Sequence, residues 1–108
     1  MALPVGRGSD SPVAPYEPLL GIRSSVTRQT RAAGVVGPEW AIGIGEALRM
    51  YTAASAWCAF EEDRVGAIAP GMAADLTCLS ANILDTPGAL SEAEVTWTMA
   101  GGKVTYAS

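Results

Sequence analysis

The residues of this chain that could do chemistry are its carboxylates. The sequence contains eleven Asp and Glu residues but no histidine. Imidazole is the commonest transition-metal ligand and the commonest general base in proteins, so the chain cannot build a histidine-rich metal site or a Ser-His-Asp triad from its own residues. Ser9 therefore has no base that could activate it as a nucleophile. Among the carboxylates, Asp10 has the most informative surroundings.

Asp10 lies in the stretch LPVGRGSDSP at residues 3–12. The short apolar run at residues 3–5 is typical of the end of a strand, and Gly6, Gly8 and Pro12 indicate a turn that leaves it. Ligands and catalytic groups gather at such strand ends in α/β barrels and open α/β sheets. We therefore predict that Asp10 belongs to a catalytic or metal-binding site. The alternative is a turn aspartate that accepts backbone N–H bonds.

The other candidate groups have simpler explanations. Asp75 precedes a run with alternating apolar residues, which favours a structural hydrogen bond at the start of a strand. The acidic run at residues 61–63 could hold a metal, but it follows a helical pattern and is typical of a solvated helix end. Cys58 and Cys78 lie further apart than the usual zinc pair, so we predict two buried free thiols in a reducing cytoplasm.

The composition indicates one small domain whose surfaces are buried against further protein. The 108 residues are 49% hydrophobic and only 17% charged, against about 25% charged residues in typical globular domains. The net charge of −4 and the absence of a basic run argue against nucleic-acid binding. No apolar run approaches the roughly 20 residues of a membrane span, and the N-terminus lacks the long apolar core of a signal peptide. We therefore expect a cytoplasmic protein.

The first half of the chain has helical patterns. Pro18 suits the first turn of a helix, where its missing N–H costs nothing, and the apolar spacing after it predicts a helix over about residues 18–30. Residues 38–40 could open a further short helical turn. From Glu46 to about residue 60, apolar or small residues cover most of the helical circumference. This pattern predicts one helix that is buried on two sides.

The second half has strand and turn patterns. Proline followed by glycine at residues 70–71 is a strong turn signal, and residues 74–80 then read as a strand. Residues 91–94 form a possible capping box before one helical turn. Two alternating runs within residues 95–106 are joined by two adjacent glycines, which predicts a hairpin. The predicted fold class is therefore α+β.

Seven short motifs follow one another along the chain: GSDSPV at residues 8–13, PLLGI at residues 18–22, ALRMYT at residues 47–52, GAI at residues 66–68, PGM at residues 70–72, ADL at residues 74–76 and AGGKVTY at residues 100–106. In this order they resemble the C-terminal end of the metal-dependent amidohydrolase superfamily, in its amidohydrolase family 3 branch. The resemblance covers essentially the whole chain.

This resemblance implies an architecture and a role for Asp10. The aspartate of Gly-Ser-Asp in such enzymes ends the last strand of a (β/α)8 barrel, where it binds metal or handles the proton of the attacking water, and Asp10 matches it. The Pro-Gly-x-x-Ala-Asp-Leu run and the final hairpin match a small β-sandwich domain. The resemblance thus assigns the last barrel strand, loop and terminal helices to residues 1–64, and part of the β-sandwich to residues 65–108. The chain would be a C-terminal fragment of a barrel enzyme.

The implied activity is metal-dependent hydrolysis of C–N bonds in non-peptide amides. The family's His-x-His pair and later histidines are absent from this sequence, so we expect the isolated chain to hold no metal and to be inactive, although a divalent, zinc-like ion is expected in the full-length family. Its partner would be a complementing barrel segment or a second copy of itself, with no nucleic acid and no membrane. The rival interpretation is a small self-associating domain, or a gene fragment, without chemistry.

Overall fold

The computed structural model of the protein describes residues 3–108. Its helices and strands are three α-helices, α1 (Pro18–Thr27), α2 (Ile44–Tyr51) and α3 (Ala53–Cys58); two 3-10 helices (Pro38–Trp40 and Pro87–Ser91); and five strands, β1 (Gln29–Thr30), β2 (Gly34–Val35), β3 (Leu76–Leu79), β4 (Val95–Ala100) and β5 (Lys103–Ala107). The result is a mixed α and β chain, as predicted. None of the helices within residues 3–108 is long and apolar enough to cross a membrane.

Helix α1 begins where the sequence predicts and ends three residues earlier. Pro18 occupies its first turn, where a proline loses no hydrogen bond. Arg28 then adopts a left-handed conformation with φ of 58°, and its N–H donates to the Ser24 carbonyl at 2.9 Å. A left-handed residue at this position is a common helix ending, although glycine usually occupies it. Residues beyond Thr27 form the short β1–β2 ribbon instead of more helix.

The single helix predicted from Glu46 to about residue 60 is wrong, because Thr52 divides it into α2 and α3. Thr52 has φ of −123° and ψ of −98°, and its hydroxyl donates to the Leu48 carbonyl at 2.8 Å. The Ser55 hydroxyl donates to the Met50 carbonyl at 2.6 Å. These hydroxyls take the carbonyls that backbone N–H groups would bind in a continuous helix, which lets the chain bend here.

The core is small and draws on both halves of the chain. It consists of Ile22, Ala47, Ile83, Leu90 and Ala93, each at most 3% exposed. Partly buried Leu19, Leu48, Tyr51 and Leu79 pack against it, among others. Burial of a side chain such as Ile or Leu stabilises the fold by about 1.5–3 kcal/mol. The core thus fixes α1 and α2 against the 3-10 helix that precedes β4.

Strands β3, β4 and β5 form an antiparallel sheet in that order. Ala100 pairs with Lys103 across the β4–β5 turn, and the two residues between them, Gly101 and Gly102, have φ of 56° and 80°. A two-residue turn with positive φ at both positions is type I′, which matches the twist of a hairpin. The predicted hairpin is therefore confirmed.

Two other predictions for this half have opposite outcomes. The predicted turn at Pro70 is confirmed: Gly71 has φ of 87° and the Met72 N–H donates to the Ala69 carbonyl at 3.1 Å, as in a type II turn. The capping box at residues 91–94 is wrong, because no helix follows it. The Ser91 hydroxyl instead donates back to the Gly88 carbonyl at 3.0 Å, within the preceding 3-10 helix.

Candidate functional site

The segment that carries Asp10 is extended and lies against α2 and α3. The Arg7 N–H donates to the Met50 carbonyl at 3.1 Å and to the Ser55 hydroxyl at 3.3 Å. Gly6 permits this close approach, because a Cβ there would lie 3.2 Å from the Cα of Ser55. The predicted strand at residues 3–5 is wrong for the described chain. A strand is a hydrogen-bonded ladder, and this segment meets a helix junction instead of another strand.

Asp10 itself sits in a turn that does not use its carboxylate. Its φ is 55°, a left-handed conformation that aspartate tolerates better than most residues. The turn is closed by backbone, since the Val13 N–H donates to the Asp10 carbonyl at 2.9 Å. Within residues 3–108 the exposed Asp10 carboxylate accepts no hydrogen bond. This argues against a carboxylate retained to bind backbone N–H groups, and leaves the group available for a ligand or a proton.

Asp75 has the structural role that its sequence position predicts. Its Oδ1 accepts a hydrogen bond of 2.7 Å from the N–H of Gly101 in the β4–β5 turn. The neighbouring Ala74 carbonyl accepts the Gly102 N–H at 3.0 Å. Asp75 therefore fastens the start of β3 to the hairpin, which confirms the prediction.

The acidic run after α3 is a solvated helix end, as predicted. Glu61 forms an exposed salt bridge with Arg64, with 2.7 Å between Oε2 and Nε. This hydrogen bond and the nearby negative charge of Glu61 raise the pKa of the Arg64 guanidinium above its ordinary value. Solvent screens exposed pairs of this kind, so the pair contributes little to stability.

Both cysteines are free thiols, as predicted, but their burial is not as predicted. Cys58 is exposed and Cys78 is partly buried. The reason for the error at Cys58 is that α3 is covered on one side only: Ala54 and Ala56 are buried, whereas Trp57 is 49% exposed. The helix was expected to be covered on two sides.

The described residues do not by themselves fit a metal ion. Zinc sites in proteins use three or four protein ligands, and residues 3–108 contain no group of three or more His, Cys, Asp or Glu side chains that could hold a metal. Asp10 offers a single carboxylate. A metal at Asp10 would therefore need further ligands from other protein.

A basic groove is the feature that sequence reasoning missed. A cavity of about 740 Å³ is lined by Arg7, Arg23, Arg28 and Arg31, among others. Gly8 and Ser9 also line it, so the groove begins beside the turn of Asp10. The sequence holds only seven basic residues, and these four fall within its first 31 residues. That concentration is the available signal, although the spacing alone does not show that the four residues line one cavity.

Comparison with known proteins places the whole chain within one family. A family model described as "Amidohydrolase family" matches residues 1–106. YtcJ of Bacillus subtilis, which is named as an amidohydrolase, is 36% identical over 104 residues, covering 92% of this chain and 20% of its own length. The N-substituted formamide deformylase of Arthrobacter pascens is 33% identical over 103 residues, covering 94% of this chain and 19% of its own length. The chain thus spans about a fifth of these relatives.

Solved structures agree in fold over part of the chain. A prolidase crystallised with N-methylphosphonate-L-proline superposes with a TM-score of 0.56 at 30% identity, covering 63% of this chain and 17% of the prolidase. An amidohydrolase from Thermotoga maritima superposes with a TM-score of 0.55 at 24% identity, covering 65% of this chain and 17% of that protein.

Proposed function

Because the chain belongs to the amidohydrolase family, we propose that it is part of a hydrolase that cleaves C–N bonds in non-peptide amides. The observation that carries this proposal is the carboxylate of Asp10, which a defined turn holds at the surface and which no residue among 3–108 occupies. The family match over residues 1–106 includes this carboxylate and supports a role for it in hydrolysis. About four fifths of the length of the relatives lies outside the matched region.

The proposal assigns structural roles to the two halves of the chain. Residues 1–64 supply the last barrel strand, its loop and the helices that follow. Residues 65–108 supply strands of a small β-sandwich. The extended segment before Asp10 suits the first role, because Leu3 and Val5 are 83% and 57% exposed and thus leave apolar side chains for neighbouring strands. With a barrel strand on each side, this segment would become the strand that the sequence predicts.

Asp10 acts in this proposal as the proton carrier of amide hydrolysis. A water oxygen attacks the amide carbon, and the Asp10 carboxylate takes the proton that the water releases. The C–N bond then breaks, and the proton passes to the leaving nitrogen. The products are a carboxylic acid and an amine. General base catalysis of this kind contributes about 10²–10⁴-fold to a rate.

The substrate class in this proposal is a secondary amide with a small acyl group. It follows from the Arthrobacter relative, whose name specifies N-substituted formamides. The test joins this chain to the preceding segment of that relative, in place of the relative's own matching part, and measures formate release from an N-substituted formamide. The unaltered relative is the positive control. We expect turnover by the joined protein; a folded, monodisperse joined protein without turnover would contradict the proposal.

A second candidate function rests on a different observation. Large apolar side chains are almost fully exposed, including Leu3 at 83%, Phe60 at 92% and Ile68 at 91%. Surfaces of this kind mark sites of protein association. The second candidate is therefore a non-catalytic domain that associates with itself. Turnover by the joined protein described above, with loss of turnover on removal of the Asp10 carboxylate, would decide against it.

A further inference from the structure

Positive charge in this acidic chain is concentrated in one place. The net charge is −4 and there are seven basic residues, yet four of the seven line the cavity of about 740 Å³ beside α1. We call this cavity, with Arg7, Arg23, Arg28 and Arg31, the arginine groove. Glu17 is the one carboxylate among the described residues that line it. The local charge is thus opposite in sign to that of the whole chain.

The four arginines reach the groove from two parts of the chain, the extended N-terminal segment and the continuous stretch from α1 into the β1–β2 ribbon. Arg23 lies within α1, Arg28 is the left-handed residue that ends α1, and Arg31 lies in the turn of the β1–β2 ribbon. Arg7 comes from the extended N-terminal segment, which its own N–H fixes to the Met50 carbonyl at 3.1 Å. Guanidinium groups repel one another, so an opposing charge in the groove would stabilise this arrangement.

Structural hydrogen bonds account for only part of this cluster. Arg23 donates from Nε to the Leu90 carbonyl at 2.7 Å and from Nη2 to the Ala93 carbonyl at 2.9 Å, which ties α1 to the second 3-10 helix. Arg28 donates from Nε to the Val36 carbonyl at 3.0 Å. These bonds account for the position of the Arg23 side chain and for one of the donor groups of Arg28.

The guanidinium groups of Arg7 and Arg31 make no structural hydrogen bonds of this kind among the described residues. Among residues 3–108 neither guanidinium takes part in a hydrogen bond or a salt bridge. Both side chains are exposed. Their guanidinium donors, with the remaining donors of Arg28, are therefore available to a ligand in the groove.

The wall of the groove also offers hydroxyl groups. Ser24 and Tyr51 are among its lining residues. The Tyr51 hydroxyl fits here because α1 has a glycine at position 21, where an added Cβ would overlap it. Hydroxyls can donate to the same oxygen atoms that arginines bind, so these groups complement the guanidinium donors.

We propose that the arginine groove binds a small molecule with at least two negative charges, through its carboxylate or phosphate oxygens. Guanidinium groups match both kinds of oxyanion in geometry and charge. The volume of about 740 Å³ falls within the roughly 300–1,000 Å³ typical of small-molecule sites, which favours a small ligand. The proposed binding is a different event from the proposed hydrolysis and does not depend on the role of Asp10.

The test measures binding of two probes, inorganic phosphate and succinate, to the chain by isothermal titration calorimetry at low ionic strength. We expect saturable binding of at least one probe, with a Kd of about 1 mM or tighter. The stronger probe distinguishes a phosphate ligand from a dicarboxylate. The variants R7Q and R31Q should each weaken that binding about three- to tenfold, and circular dichroism should show unchanged folding.

R64Q is the matched control, because Arg64 is an exposed arginine outside the groove. It removes the same charge and should change the Kd less than about twofold. Two results would overturn the proposal. One is an absence of saturable binding for both probes. The other is an equal loss of affinity in R64Q and R31Q, which would mean that net charge alone is responsible.

Discussion

At the scale of single residues, two aspartates of similar sequence setting differ in what their carboxylates do. The carboxylate of Asp75 accepts a hydrogen bond from the Gly101 N–H at 2.7 Å. Asp10 has a turn closed by its backbone carbonyl, and its carboxylate binds nothing within residues 3–108. A group that stabilises the fold and a group that is available for chemistry can thus be told apart by their partners, although both stand next to a predicted strand.

The role of Asp75 leads to a stability prediction. The variant D75A removes the acceptor of the Gly101 N–H and should lower the free energy of unfolding by about 1.5–3 kcal/mol, the usual contribution of a hydrogen bond to a charged group. The midpoint of urea unfolding measures this change. D63A is the control, since Asp63 is an exposed carboxylate in the turn after α3, and it should shift the midpoint little. Equal midpoints for D75A and the unmutated chain would show that this bond is not structural.

At the scale of elements, the predictable features were those that neighbouring residues determine. Pro18 marked the start of α1, and the glycines at positions 101 and 102 marked the hairpin, because both effects are set by allowed backbone angles. The break at Thr52 was missed because hydroxyl groups take over the carbonyls there, which the apolar pattern does not reveal. The exposure of Cys58 was missed because a pattern of apolar residues shows which sides of a helix can be buried, and does not show whether anything covers them.

At the candidate site, too, neighbouring residues determine some features and distant residues determine others. The motif around Asp10 was readable from the sequence, but whether its carboxylate has a partner depends on distant residues. The arginine groove requires Arg7 to lie beside α1, and that contact depends on a hydrogen bond to Met50, which is more than 40 residues away in the sequence. Contacts of this range are not encoded in local spacing.

Two glycines in different backbone conformations provide a prediction at this scale. Gly102 has φ of 80° in the hairpin turn, so G102A should destabilise the chain by about 1–2 kcal/mol through backbone strain. Gly45 lies within α2 with open space around it, so G45A should stabilise the chain by about 0.5–1 kcal/mol. Thermal unfolding of both variants measures the difference. A stabilising effect of G102A would contradict the type I′ turn.

At the scale of the whole molecule, the core is small and much apolar surface is exposed. The core side chains are Ile22, Ala47, Ile83, Leu90 and Ala93, of which two are alanines. Phe60 is 92% exposed and has a φ of 59°, a conformation that bulky residues rarely adopt. The small core and the exposed apolar side chains are consistent with a chain whose surface is completed by further protein, either another part of a barrel or a second copy.

This surface predicts association of the 108-residue chain in solution. At micromolar concentration we expect light scattering to report at least twice the mass of one chain, or a loose state that binds a hydrophobic dye. The double variant F60S/I68S removes two of the most exposed apolar side chains and should reduce the measured mass or the dye signal. A compact monomer without dye binding would show that these side chains do not form an interface.

The most direct test of the proposed chemistry is the effect of D10N on formate release by the protein joined to the segment of the Arthrobacter relative. Asparagine keeps the size of the side chain but cannot accept the proton of the attacking water. We expect D10N to lower kcat by about 10²–10⁴-fold with unchanged folding, whereas D63N, the control at an exposed carboxylate, should keep full turnover. Equal turnover by D10N and the unmutated joined protein would remove Asp10 from the reaction.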